Sequence, residues 1–127
     1  MLFLDSKHEE FFNEILKRAK REDDTYHRAL FYVLGLTAET RRNIDTLYNF
    51  KGHCIEFDCL KASWQTGTST RVTRLAFNLF NGFSGEGSEE DKPLDEAYNY
   101  TPYKLFDNGL MIYMFEGIKL LYPCYAK

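Results

Sequence analysis

The chain has 127 residues, of which 44% are hydrophobic and 17% aromatic, and its formal net charge is −3 at pH 7. This composition is typical of a globular domain with a bulky aromatic core and excludes a disordered chain. The slight acidity argues against a general nucleic-acid binder, which carries a basic excess. We expect one domain over residues 1–127.

The charge is unevenly distributed along the chain. Residues 51–83 carry 4 basic and 2 acidic side chains, whereas residues 84–127 carry 4 and 8. The acidic part begins with a glycine- and acid-rich stretch at 84–92, which is typical of a flexible loop inserted within a domain.

The start of the chain and its cysteines bear on its location. Met1–Asp5 lacks the basic and apolar regions of a secretory signal, and no run approaches the ~20 apolar residues that a membrane span needs. The cysteines Cys54, Cys59 and Cys124 are an odd number, which favours reduced thiols. We therefore expect a cytoplasmic protein that does not engage a membrane.

The first third of the chain is predicted to be helical. Ser6 and Glu9 have the spacing of a capping box, and apolar residues then recur at helical spacing, so we expect a first helix over 6–21. A second helix begins in the acidic turn Glu22–Asp24 and ends at Gly35. A third is expected over 37–47.

The rest of the chain also favours helices. Residues 53–57 resemble an extended segment without a pairing strand, and a short helix is expected over 58–63. The main helix is predicted over 70–81 and stops at Gly82. Helical turns follow at 93–98 and 102–106, and the apolar stretch 110–121 is a last helix or, alternatively, a buried strand. The fold class is therefore mostly α, a compact domain of about five to six helices.

The start of the main helix has the chemistry of an anion site. Ser69 and Thr70 supply hydroxyls, and Arg71 and Arg74 lie one turn apart, beside a helix N-terminus whose free N–H groups favour negative charge. The alternative is that Ser69 or Thr70 only caps the helix and the arginines pair with carboxylates. The stretch is not a P-loop, because Gly67 stands alone.

The aromatic candidates for a partner surface are Trp64, Tyr100 and Tyr103, together with Tyr98 and the terminal stretch Tyr122–Tyr125. Their rings could stack on a base or form part of a groove, whereas ordinary core packing is the alternative. The polar sequence around Tyr100 and Tyr103 indicates that not every ring is inside.

Metal and nucleophile chemistry have weaker signals. His53, Cys54 and Cys59 would need Cys124, His8 or His27 to complete the four ligands of a zinc site, and no second cysteine pair is present. Pairs of cysteine and histidine lack any local signature of a catalytic dyad. We expect no catalytic residue, metal or cofactor.

Five stretches of the sequence carry a family pattern: Met1–Asp5 with His8, Arg28–Leu34, Asn43–Phe50, Ser69–Gly82 and, more weakly, Pro102–Asp107. In these stretches the chain resembles a family of small uncharacterised proteins, a domain of unknown function, from Gram-positive bacteria and their phages. It implies no catalytic residue. It implies a setting in phages and mobile elements, whose small proteins often inhibit host defence systems by covering a partner's surface.

Two functions follow as expectations. The first is a non-enzymatic interaction protein that binds a host protein or nucleoprotein and inhibits a defence system such as CRISPR. The alternative is a binder of a phosphate-bearing small molecule or nucleotide signal at Thr68–Arg74. The apolar last helix also favours a homodimer, since it has more hydrophobic surface than a small domain covers.

Overall fold

The computed structural model describes residues 1–84 and 96–125. The predicted loop at 84–92, apart from Ser84, and the start of the turn expected at 93–98 lie outside the described residues. Within the described ranges, none of the helices is long and apolar enough to cross a membrane.

The first two helices start at aspartate caps. Helix α1 spans Ser6–Ala19, and Asp5 accepts a hydrogen bond from the His8 backbone N–H at 2.8 Å. The predicted cap Ser6 is wrong by one residue, because either side chain could accept and Asp5 adopts the extended backbone that a cap needs. Helix α2 spans Thr25–Leu34 and is capped by Asp24.

Helix α2 is the centre of the hydrophobic core. Its residues Ala29–Leu34 are all fully buried, since α1 and two later helices, over residues 67–81 and 111–121, pack around it. A helix that is apolar on every side is stable only when it is enclosed in this way. Its Gly35 cap sits under α1, where an added Cβ would lie 2.7 Å from the His8 ring.

The region after α2 is made of short elements. Helix α3 spans Ala38–Arg42 with Thr37 as its cap, and α4 spans Ile44–Leu47, so the single helix predicted over 37–47 is broken at Asn43. Strands β1 (Tyr48–Asn49) and β2 (Cys54–Ile55) form an antiparallel ladder that pairs Tyr48 with Ile55. The sequence prediction missed this pairing. A 3₁₀ helix follows over Phe57–Lys61.

The second half of the chain packs on α2. Helix α5 spans Gly67–Asn81 and ends at Gly82, which has a φ of 80° that favours glycine. A 3₁₀ turn covers Tyr98–Tyr100, α6 spans Pro102–Phe106, and α7 spans Met111–Leu121. A last 3₁₀ turn covers Pro123–Tyr125. The mostly helical fold class is thereby confirmed, and residues 111–121 are helix rather than strand.

Candidate functional site

The start of α5 is a closed capping box. Thr66 accepts from the Ser69 N–H at 3.0 Å, and Ser69 Oγ accepts from the Thr66 N–H at 2.7 Å. Ser69 is fully buried and also donates to the Gln65 side chain. The Thr70 hydroxyl donates to the Thr66 carbonyl at 2.6 Å. The helix therefore begins three residues before the predicted start, and the Ser69 and Thr70 hydroxyls are engaged in building it.

Both candidate arginines have partners within the chain. Arg74 Nε donates to Glu96 Oε1 at 2.7 Å, and its Nη2 lies 3.5 Å from Oε2, so α5 is tied to the segment before Tyr98. Arg71 donates through Nη1 to the backbone carbonyl of Asp107. Arg74 therefore pairs with a carboxylate, as the alternative to an anion site predicts, and its partner is 22 residues away in sequence. Arg71 instead contacts a neutral carbonyl oxygen.

The two arginines nevertheless lie on a cavity lined by positive charge. It is an open cavity of about 450 Å³ at the N-terminus of α5. Lys61, from the 3₁₀ helix, and Lys104, from α6, line it together with Arg71 and Arg74. These are four of the six lysines and arginines in the described residues after residue 50. The cavity therefore favours a negatively charged occupant.

Two exposed tyrosines flank this cavity. Tyr98 and Tyr103 are 63% and 74% exposed, and the Lys104 ammonium lies 5.3 Å and 5.9 Å from their ring centres. We call Tyr98, Tyr103, Lys104 and the four-cation cavity the tyrosine–cation surface. The Lys104 ammonium is attracted to the ring faces, and the large exposed fractions leave the rest of each ring available to a partner. Tyr103 is thus exposed beside this cavity.

The candidate aromatics Trp64 and Tyr100 are half-buried. Trp64 packs against the core, and Tyr100 meets the Phe83 ring edge-on at 6.1 Å. Burial, together with the Glu96 carboxylate, raises the pKa of Tyr100 despite the nearby Arg74. Within the described residues, no group meets the Tyr100 hydroxyl in hydrogen-bond geometry. Trp64 therefore serves packing, and Tyr100 lies under the tyrosine–cation surface.

A hydrogen-bonded chain that the sequence did not indicate joins α2 to the β-ladder. His27 contacts the Asp24 carboxylate through Nδ1, and its Nε2 lies 2.8 Å from the Tyr48 hydroxyl. His53 Nδ1 lies 3.4 Å from the same hydroxyl. Tyr48 is fully buried, and burial raises its pKa to about 12. The group resembles a catalytic triad in connectivity, but its tyrosine is enclosed and protonated, so it holds the fold together.

The three cysteines differ in their exposure to solvent. Cys59 is buried and donates to the Glu56 carbonyl, and burial raises its pKa to about 12. Cys54 and Cys124 are exposed. Over residues 1–84 and 96–125, His, Cys, Asp and Glu side chains form no group of three that could hold a metal ion.

A second open cavity, of about 680 Å³, lies on another part of the surface, beside β1. Its lining mixes charges, since Arg18 and Lys51 face the carboxylates of Asp45, Glu56 and Asp58. The Arg18 guanidinium is already stacked 3.8 Å above the Phe50 ring and paired with Asp45. This cavity therefore selects no one sign of charge, unlike the cavity at α5.

The comparisons with known proteins identify one family. Its model, described as a family of unknown function (DUF6075), matches residues 1–127. No curated protein and no solved structure matches the chain. The resemblance to an uncharacterised family is confirmed.

Proposed function

The chain belongs to the family of unknown function DUF6075, and we propose that it is a non-enzymatic interaction protein which binds a partner through the tyrosine–cation surface. The observation that carries this proposal is the pair of exposed rings, Tyr98 and Tyr103, on either side of Lys104. Tyrosine and arginine are the residues that most often supply binding energy at protein interfaces. Tyrosine also gives large contact area while its hydroxyl tolerates water.

The charge of this surface indicates the charge of its partner. Lys61, Arg71 and Lys104 give this surface a positive field, with Arg74 beside them paired to Glu96, although the chain as a whole is acidic. A partner with an acidic or phosphate-bearing face would be attracted to this surface and repelled by the acidic remainder of the chain. A host protein or a nucleoprotein with such a face is the partner that we propose.

The finer form of the proposal comes from the sequence resemblance. Small proteins of phages and mobile elements in Gram-positive bacteria often block host defence, so we propose a defence component, such as a CRISPR effector, as the partner. Covering a partner's surface requires shape and charge rather than catalysis, which suits a site built from tyrosines and cations.

Affinity capture with matched variants tests the binding proposal. The tagged chain is incubated with lysate from bacteria that carry an active CRISPR system, beside a Tyr98→Ser/Tyr103→Ser variant. The control is Tyr26→Ser, because Tyr26 is 53% exposed at the start of α2. We expect a stoichiometric partner with the wild type and the control and none with the double variant. Retention of the same partner by all three would refute the role of this surface.

A plating assay tests the finer proposal separately. Expression of the chain in bacteria whose CRISPR system targets a phage should restore plaque formation, and the Tyr98→Ser/Tyr103→Ser variant should not. If plating is unchanged while the captured partner persists, the partner belongs to another process and the defence assignment fails.

The second candidate function is binding of a phosphate-bearing small molecule in the same cavity. The observation that favours it is the convergence of four cations on the N-terminus of α5. Nucleotides that bind should raise the melting temperature, and at one hundred times the dissociation constant the stabilisation is about 2.7 kcal/mol. Lys104→Gln should abolish the shift and Lys51→Gln, an exposed lysine outside this cavity, should not. The absence of any shift with millimolar nucleotides would refute this function.

A further inference from the structure

Helix α7 has apolar side chains on its outer face as well as on the face that packs on α2. Met114 and Gly117 are buried inside. On the outside, Ile112 is 65% exposed, and Met111, Phe115 and Tyr122 are 42–49% exposed. These positions recur at the spacing of one helix face, which also carries Lys119 and, at its edge beside Leu2, Glu116. Because a helix at a protein surface normally presents polar side chains to water, this apolar face indicates that a partner buries it.

The apolar surface continues beyond the helix. The Phe106 ring lies 5.2 Å from Phe115, and Tyr125, which is largely exposed, lies 6.2 Å from Tyr122. At the other edge, the Leu2 N–H reaches the Glu116 carboxylate, which brings the exposed Met1 and Leu2 beside α7. We call this continuous surface the α7 face.

Its area is that of a protein interface. Taking about 200 Å² for a fully exposed large apolar residue, the exposed parts of its side chains amount to roughly 700–800 Å². The largest apolar patch of an ordinary monomer is about 300–600 Å². A stable protein–protein interface buries about 800 Å² on each partner. The α7 face is therefore large enough to hold one partner without help from another surface.

We propose that a second copy of this chain covers the α7 face, with the two α7 helices antiparallel across a twofold axis that passes beside Ile112 and Phe115. The charges at the two ends select this occupant. Asp107 is exposed just before α7 begins, and Lys119 is exposed near its end. A twofold axis between them places each Lys119 next to the Asp107 of the other copy. A parallel pair would place like charges together, and antiparallel helix dipoles are also favourable.

The mass of the protein in solution tests this proposal. We expect light scattering after size exclusion to give twice the chain mass for the wild type at about 100 µM, since interfaces of this area have micromolar or tighter affinity. Ile112→Glu/Phe115→Glu should give the monomer mass with unchanged helical circular dichroism. Tyr98→Glu/Tyr103→Glu, the matched control on the tyrosine–cation surface, should remain a dimer. A monomeric wild type, or a dimer that survives Ile112→Glu/Phe115→Glu, overturns the proposal.

Charge exchange tests the antiparallel arrangement. Lys119→Glu should raise the dimer dissociation constant about five- to tenfold, because two exposed ion pairs are lost. Adding Asp107→Lys to that variant should restore the wild-type value. An additive loss in the double variant would overturn the antiparallel arrangement.

Cross-linking keeps the proposal testable if the glutamate variants fail to fold. Ile112→Cys is made in a chain in which Cys54 and Cys124 are replaced by Ser, so that its thiol is the exposed one and Cys59 stays buried. A short bis-maleimide should then link two copies, because residues beside a twofold axis face their own counterparts. Tyr103→Cys in the same background should not link. Equal linking of the two variants, or none, overturns the proposal.

Discussion

Replacing Gly117 with alanine should destabilise the protein through a collision between α7 and α2. An added Cβ would lie well inside van der Waals contact with Val33 Cγ2, and 3.5 Å from the Tyr32 ring. Both neighbours are fully buried on α2, so neither can move into solvent. The glycine thus permits the close approach of the two helices.

The magnitude follows from two opposing terms. Forcing a methyl group into a filled core costs about 1–3 kcal/mol. Alanine in a helix gains about 1 kcal/mol over glycine. We therefore expect Gly117→Ala to lower the free energy of unfolding by about 1 kcal/mol, with a fall in melting temperature of roughly 4 °C.

A second substitution identifies the collision as the cause. Val33→Ala alone should cost about 2 kcal/mol, since it removes two buried methyl groups and leaves a small cavity. In the Gly117→Ala background it also removes the atom that the new Cβ meets. The double variant should therefore be more stable than the sum of the two single losses predicts, by about 1 kcal/mol or more.

Urea denaturation followed by circular dichroism measures all four proteins. Gly67→Ala is the control, because Gly67 is also in a helix and nothing lies within 4 Å of a Cβ added at that position. It should leave the free energy of unfolding unchanged or slightly raised. A Gly117→Ala protein as stable as Gly67→Ala, or strict additivity with Val33→Ala, would refute the close contact of α2 and α7.

Three further predictions concern other parts of the fold. Burial lowers the pKa of His8 from its ordinary 6.5, so the unfolded chain takes up the proton first as the pH falls. The free energy of unfolding, measured in urea, should therefore be highest above about pH 6.5 and should decrease as the pH is lowered further, by up to about 1.4 kcal/mol per pH unit. Thr66→Ala should lower the free energy of unfolding by about 1 kcal/mol in the same assay, because α5 loses its cap. At pH 8, Ellman's reagent should label Cys54 and Cys124 quickly in the native protein, and Cys59 only after unfolding.

A control variant or a contradicting result distinguishes each of these three predictions. A His8→Gln protein should show a shallower fall with pH than the wild type, and parallel curves would mean that His8 does not carry the effect. Thr68→Ala, at an exposed position of α5, should cost much less than Thr66→Ala. Simultaneous labelling of three thiols would contradict the enclosure of Cys59.

The sequence was a good guide to the helices because their signals are local. Asp24 before α2 and Gly82 after α5 are cap residues that work through their immediate neighbours. Where two competent caps stand together, as at Asp5 and Ser6, sequence cannot choose between them. The β-ladder was missed since two residues per strand are too few for an alternating pattern.

The candidate site was only half predictable, because its key contacts join distant parts of the chain. Arg71 and Thr70 were identified from one helix start. Nothing local indicates that Arg74 meets Glu96, or that Lys61 and Lys104 face the same cavity. The sequence therefore indicated positive charge at this helix start, and it did not indicate how much of that charge the chain itself neutralises.

The central position of α2 has a consequence for synthesis in the cell. Two of the helices that enclose it, α5 and α7, begin 33 and 77 residues after Leu34. The apolar sides of α2 are therefore made long before their cover exists, and contacts this distant in sequence form late in folding. During that interval only α1 is available to cover this hydrophobic helix, and exposed apolar surface of this kind makes a partly folded chain prone to aggregate.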